Sequence, residues 1–365
     1  MKILILTQAV NSHSTERLTN EAEKLKVDFE VINPSDLYAF VSSSVKGQDR
    51  IYKRSREKSV RLIAKDFNAI IPRIAGGAFD HGAMIVKHLN QNMRIWSTAT
   101  AMGLRIASNK LETCQVLSCH NIRVPKQVLA HQPTDYKELI DMVGGLPCIG
   151  KLQHGSLGDG VFILNNELAA STSLKSFEKL GADVVLQQFI DSGTPANDIR
   201  AFVIGASRKT PQVYAYQRFA LDTDFRSNYS KSKLGEKIDI TDEERQMAID
   251  SSRALNLNIS GVDIMRDCKD KDKPYVIEVN GCPGLTGIES VTGINIARMI
   301  IQYAIEPDPP FGLPTRIIEN TVRQKDEILN HNPADVKPKT LTKEEVMWNE
   351  IDKLPHNRDY DKYFS

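Results

Sequence analysis

The chain has 365 residues, 47 Lys plus Arg against 46 Asp plus Glu, a net charge of +1 and 41% hydrophobic residues. That is enough chain for two or three modest domains, and the near-balanced charge gives no bulk reason to expect a nucleic-acid or membrane-surface protein. No apolar window is long enough to span a membrane, and the first apolar run is too short for a secretion signal. Cys114, Cys119, Cys148, Cys268 and Cys282 form no Cys-x-x-Cys pair. They read as free thiols in a reducing compartment, so the expectation is a cytoplasmic globular protein.

Residues 2–7 show a buried-strand pattern, with an unbroken apolar run over residues 3–6. Residues 14–26 place Leu18, Ala22 and Leu25 at helical spacing, and residues 29–32 give another strand. After a polar middle, whose basic run from Lys46 to Lys58 reads as a solvated face, residues 69–74 form a strand that runs into Ala75-Gly-Gly77. This alternation predicts a small parallel α/β domain over residues 1–96. The Gly-x-Gly-x-x-Gly mark of a dinucleotide site is missing. Ligands of open α/β sheets sit beyond the carboxyl ends of strands. Arg73 stands at such a place and could pair with a substrate carboxylate; a purely structural turn is the equal alternative.

Ser108-Asn-Lys-Leu-Glu-Thr113 has the form of a capped helix start, with Ser108 or Asn109 at the cap. A further helix is expected at residues 136–143. Residues 148–153 form a short strand carrying Lys151, which runs into His154-Gly-Ser-Leu-Gly-Asp-Gly160 and out again through residues 161–164. A glycine loop between strands can lay backbone N–H groups over phosphates, though glycine turns are common in any sheet. The strand Lys adds weight, because a buried Lys normally needs an anion.

Residues 184–190 and 198–204 read as strands, and Asp198 and Arg200, two apart, share a face of the second. Residues 209–218 continue as strand. A polar loop at residues 223–228 precedes Lys231 and Lys233. Thr241-Asp-Glu-Glu244 opens a helix with acidic residues where its dipole favours them, and residues 294–305 form a closing amphipathic helix. Four prolines between Pro307 and Pro314 end regular structure, and two polar helices, 315–329 and 342–354, follow. His81, His88, His120 and His154 have no metal-ligand spacing.

The densest chemistry lies in Tyr275-Val-Ile-Glu-Val-Asn-Gly-Cys-Pro-Gly284. Its first residues favour a strand, which projects Glu278 and Asn280 from one face before the glycines and proline break it. A second strand at residues 260–265 and a polar connection at 267–274 make a hairpin that brings Asp263 beside them. Two carboxylates and an amide oxygen form a hard donor set suited to magnesium shared with substrate phosphates. An ordinary solvated strand face fits the same spacing.

In order and spacing, Lys110, Lys151, the glycine loop, Asp198 with Arg200, the 223–228 loop and the oxygen cluster resemble the ATP-grasp superfamily. More narrowly they resemble its RimK-type α-L-glutamate ligases, through Ile71-Pro-Arg-Ile74, Gly261-Val-Asp-Ile264 and Glu278-Val-Asn-Gly-Cys-Pro-Gly-Leu-Thr-Gly-Ile-Glu289. The resemblance runs to about residue 305. It implies an α/β (α+β ATP-grasp) fold: an N-terminal α/β domain at 1–96, two mixed α+β subdomains at 97–186 and 187–306 that clasp ATP, and a helical extension at 307–365.

By the same resemblance, Lys110 and Lys151 approach the nucleotide, and Gly155, Ser156, Gly158 and Gly160 belong to a lid. Gln188 and Phe189 lie at the adenine hinge, Asp198 meets the ribose and Arg200 a phosphate. Arg226, Ser227 and Asn228 face the terminal phosphate, and Asp263, Glu278 and Asn280 hold two Mg2+ (or Mn2+) ions. The implied reaction is ATP-dependent amide formation through an acyl-phosphate, with Arg200 and Arg226 stabilising the developing charge. It would add glutamate or a similar amino acid to a protein, peptide or small-molecule acceptor. Arg73 and Lys231 are candidate substrate contacts. No nucleic acid or membrane is implied, and a homo-oligomer stays open. A nucleotide-binding module without chemistry and a phosphotransferase are the alternatives. Two departures stand out: Gln188 replaces an acidic hinge residue, and Gly281-Cys282 replaces a small hydroxyl pair, with Cys282 read as structural.

Overall fold

The computed structural model describes residues 1–41, 50–54, 60–62, 67–129, 135–152, 160–221 and 234–306. The expected tail helices, most of the glycine loop and the 223–228 loop lie outside them. The N-terminal region contains β1 (Lys2–Thr7), α1 (His13–Lys24), β2 (Asp28–Ile32), β3 (Leu37–Phe40), β4 (Arg50–Lys53), β5 (Val60–Leu62), β6 (Ala69–Arg73), α2 (Phe79–Lys87) and β7 (Trp96–Ser97). Strands β2-β1-β6-β7 form a parallel sheet in that order. It is covered on both faces, which is why β1 reads as a continuous apolar run. Ile3 and Ile5 pack with Leu18, Ala22 and Ile300, while Leu4 and Leu6 pack with Val86 and Leu89. From β1 the chain turns first to β2 on one side and later to β6 on the other, so the sheet's switch point falls between β1 and β6. Thr7 and Arg73 are register partners at its carboxyl edge. The hairpin β3–β4 went unread in the sequence; it carries stacked Tyr38 and Tyr52 rings 5.3 Å apart.

Next come α3 (Ala101–Ser108), α4 (Lys110–Cys119), β8 (Gln127–Val128), α5 (Tyr136–Met142), β9 (Cys148–Leu152), β10 (Val161–Leu164), α6 (Glu167–Lys179) and β11 (Val184–Gln188). Asn109 is the cap of α4: its side-chain oxygen accepts from the Leu111 and Glu112 N–H groups, both at 3.1 Å. The four strands pair antiparallel in the order β10-β9-β11-β8 and keep a small core of their own, which includes Ile140, Leu164, Leu174 and Leu186. Gly150 permits this packing, since a Cβ there would lie 2.4 Å from the Phe162 ring.

The last described region has β12 (Asn197–Ile204), β13 (Gln212–Phe219), β14 (Gly235–Lys237), α7 (Asp242–Ala254), β15 (Ile259–Asp267), β16 (Lys273–Asn280), α8 (Thr286–Thr292) and α9 (Ile296–Ile305). Its five-stranded sheet runs β14-β13-β12-β15-β16 and is antiparallel throughout. Helix α7 starts with a reciprocal capping box between Thr241 and Glu244. Glu244 is also the buried partner of Arg266, at 2.6 and 2.8 Å. The two large cores each draw residues from both this sheet and the parallel one.

Candidate nucleotide and metal site

Cross-strand register assembles the site. Arg200 on β12 lies opposite Asp263 on β15, and Asp263 lies opposite Glu278 on β16. Residues opposite one another across strands share a face, so an arginine and two carboxylates form one row. The expected hairpin is present, with a detail that the alternation did not give. The register slips after Asp263, because Ile264 pairs with Val276 and Ile277 is the extra residue of a bulge. That bulge lets both Val276 and Val279 face the core while Glu278 stays exposed and Asn280 half-buried. Along β12 the same face carries Asp198 and Arg200 at one end and buried Phe202 and Ile204 at the other. Helix α9 and its neighbours cover the apolar end; the charged end is left for chemistry.

The arginines alternate with the carboxylates. Arg200 grips both oxygens of Asp263, through Nε to Oδ1 and through Nη2 to Oδ2 at 2.7 Å. Arg218, opposite Asp198 on β13, binds both Asp198 oxygens at 2.6 Å and reaches Asp263 Oδ2 at 2.9 Å. Arg218 was not among the expected site residues. Its signal was legible only through pairing, since a β12–β13 hairpin in this register sets it against Asp198. Burial drives the Asp263 carboxyl upward, but Arg200 and Arg218 outweigh it and hold it below its ordinary value. Asp198 goes the other way, raised by burial and by the Asp263 charge. Arg218 stays firmly charged, because its two carboxylates more than offset burial.

Lys151 on β9 faces this floor from the four-stranded sheet. Only 6% exposed, it has its ammonium pushed down by burial and by Lys110, while Glu278 and Asp263 hold it up. Lys110, in the first turn of α4, is therefore within electrostatic reach of Lys151. A buried cation aimed at a carboxylate floor leaves room for an anion that neutralises it. Gln188 ends β11: its N–H donates to the Lys126 carbonyl at 2.9 Å, and its side-chain oxygen accepts from Lys126 N–H at 3.2 Å. Phe189 follows it, half-buried. Gly160 opens β10 at φ +76°, and its carbonyl accepts from Leu152 N–H at 2.8 Å. Gly155, Ser156, Gly158, Arg226, Ser227, Asn228 and Lys231 lie outside the described residues.

The donors suit a hard cation. Asp263, Glu278 and Asn280 offer only oxygen, and Glu278 presents an exposed carboxylate. One Asn280 lone pair is taken, because Oδ1 accepts from Cys282 N–H at 3.0 Å. Among the described residues no three His, Cys, Asp or Glu side chains form a closed metal cage.

Glycine at 261 serves the arginine row. A Cβ there would lie 2.9 Å from Arg200 Cδ and 2.9 Å from Pro283 Cβ. Gly261→Ala is expected to displace Arg200 and cost on the order of a hundredfold in turnover, with circular dichroism unchanged. Turnover at wild-type level would show that the Arg200 placement does not matter.

A cationic strand over a paired-carboxylate floor, split between two antiparallel sheets, is the arrangement of an ATP-grasp enzyme, and solved structures share the fold. A Chryseobacterium gregarium RiPP-associated ATP-grasp ligase in complex with ADP and a leader and core peptide superimposes with TM-score 0.62 at 16% identity, over 85% of this chain and 98% of that one. The macrocyclase MdnC of Microcystis aeruginosa, bound with a precursor peptide, gives TM-score 0.62 at 11% identity over 84% and 100%. The RimK PreATP-grasp domain model matches residues 1–104 and the RimK-like ATP-grasp domain model residues 107–304. A Shewanella frigidimarina relative named "Probable alpha-L-glutamate ligase 1" is 34% identical over 303 residues, 83% of this chain and 95% of its own. A Picosynechococcus relative named "Probable alpha-L-glutamate ligase" has the same identity and coverage. The chain belongs to the RimK-like ATP-grasp family, and it is an ATP-dependent ligase. Among the described residues no helix is long and apolar enough to cross a membrane.

Proposed function

We propose that the protein joins L-glutamate, or a closely similar amino acid, to a carboxylate of a peptide or protein acceptor. A carboxylate attacks the γ-phosphate of ATP, the bond to the β-phosphate oxygen breaks, and ADP leaves behind an acyl-phosphate. The amine then attacks the acyl carbon and phosphate departs with its electron pair. The observation that carries this reading is the row Arg200–Asp263–Glu278 with buried Lys151 within electrostatic reach, in which the carboxylates would hold the metal that carries a polyphosphate and the lysine would offset its charge. Catalysis then rests on positioning and charge. Lys110 and Lys151 would draw in the phosphates, while Gln188 and Phe189 line the base and Asp198 the ribose. Arg200, with Arg226, would turn toward the reacting phosphate. Asp263, Glu278 and Asn280 would hold two ions, which supply Lewis-acid neutralisation of the phosphate oxygens. The names of the relatives support glutamate, and the peptides bound to two structural neighbours support a peptide acceptor.

The test is ADP release by the purified protein with ATP, Mg2+, L-glutamate and a panel of peptides, followed by mass spectrometry. The expected product is a peptide heavier by one or more glutamyl residues. ADP formed with no new amide on any acceptor would sink the ligation of glutamate.

A further inference from the structure

The turn after the metal strand leans on the N-terminal sheet. Cys282 donates its S–H to the Pro72 carbonyl at 3.4 Å, and its sulfur meets the Ile74 backbone N–H. The thiol thus touches the chain on both sides of Arg73. Leu285 N–H donates to Ser14 Oγ at 3.1 Å, which ties the same turn to the start of α1. Position 282 lies two residues from Asn280, a span of at most about 7 Å. The backbone flanking Arg73 is therefore joined through Cys282 to the strand that carries the donor set, at the switch point between β1 and β6. Among the described residues no carboxylate reaches its guanidinium, and Cys282 is the titratable group facing it. Other arginines of the sheets are matched by carboxylates: Arg200 by Asp263, Arg218 by Asp198, Arg266 by Glu244. The strand ahead of Arg73 is apolar and its neighbour in register is Thr7, so the fold itself gives this cation no use. Beyond it, Gly76 and Gly77 are exposed with nothing within 4 Å of where a Cβ would sit, so the approach is open.

We propose that Arg73 anchors a non-reacting carboxylate of the amino acid substrate, at the carboxyl edge of the parallel sheet beside Cys282. This rests on the ligase reading. It adds that an acidic or C-terminal carboxylate is recognised by the N-terminal domain, so each turnover spans both halves of the molecule. Cys282 lines the subsite without bringing a carboxylate to it. A carboxylate at that position would be an internal competitor for Arg73.

The experiment is steady-state kinetics on the full chain, with L-glutamate and a peptide acceptor varied separately. Loss of a charge-assisted pair predicts that Arg73→Gln raises one of these two KM values by about tenfold or more, while the KM for ATP moves much less. The KM that rises identifies whether the incoming glutamate or the acceptor owns the carboxylate. Cys282→Asp is expected to raise the same KM, and Cys282→Ser, which adds no charge, to raise it less. Because an unmatched, half-buried cation adds little to the fold, Arg73→Met is also expected to leave the thermal midpoint unchanged or raised in the absence of substrates. If both KM values stay within twofold in Arg73→Gln, or if Arg73→Met lowers the midpoint as loss of a structural cation would, the subsite is overturned. Failure of the ligase reading would be seen separately, as wild-type protein that binds ATP but gives no glutamate-dependent ADP release.

Discussion

Glu278→Ala is expected to abolish ATP turnover, by about a thousandfold or more, while ADP still binds. The magnitude follows from losing a preorganised charge where phosphate charge develops. Glu278 is suited to this test because it is exposed and lies at the end of the row, so removing it unpairs nothing. Asp263 would be a poor substitute, since its loss strands the Arg200 guanidinium and takes one of two partners from Arg218. Lys151 supplies a second readout. Glu278 is the largest influence holding the Lys151 ammonium up against burial. Its removal should therefore lower the Lys151 value further and weaken the affinity for ADP at alkaline pH more than at neutral pH. Isothermal titration of ADP at two pH values measures that, and single-turnover ADP formation measures the chemistry. Unchanged turnover would remove Glu278 from the site.

Residue type and period made much of this legible. The unbroken run of β1 and the alternation of Asp198 with Arg200 were enough to place strands and faces, because burial on two sides and on one side leave different patterns. The capped start of α4 and the acidic first turn of α7 were readable for the same local reason. Three features were hidden because they depend on which strand lies next to which. Arg218 has an ordinary position in its own strand and gains its role only opposite Asp198. The bulge at Ile277 alters facing without altering composition. The hairpin β3–β4 has an apolar first strand whose Tyr38, Ala39 and Phe40 are all exposed, with Tyr38 stacked on Tyr52, so its composition carries no buried-and-exposed alternation to detect. Cys282 was read as structural, and it does pack against the Pro72 carbonyl. What local pattern could not reveal is that the same contact sets it beside Arg73.

The arginine–carboxylate quartet makes a second large prediction. Arg218→Met should destabilise the protein by about 3–5 kcal/mol, the usual consequence of removing one partner from a buried ionic set. Two carboxylates lose by it: Asp198, left with no direct partner, and Asp263, left with Arg200 alone. The pH dependence has a definite sign. A carboxyl held below its ordinary value contributes stability above that value and loses it as pH falls through the lowered one. Arg218 helps hold Asp263 down, so the variant should lose more stability at neutral pH than in acid, and the gap between the two proteins should narrow on acidification. Arg218→Lys should recover little, because a single ammonium cannot bind Asp198 by two parallel bonds and still reach Asp263. Pairing the change with Asp198→Asn separates charge from packing. If the two side chains act as a unit, the double variant should be more stable than the sum of the single losses predicts, by about 1–3 kcal/mol. Urea unfolding of the four proteins at two pH values gives these quantities, and strict additivity would show that Arg218 and Asp198 do not stabilise one another.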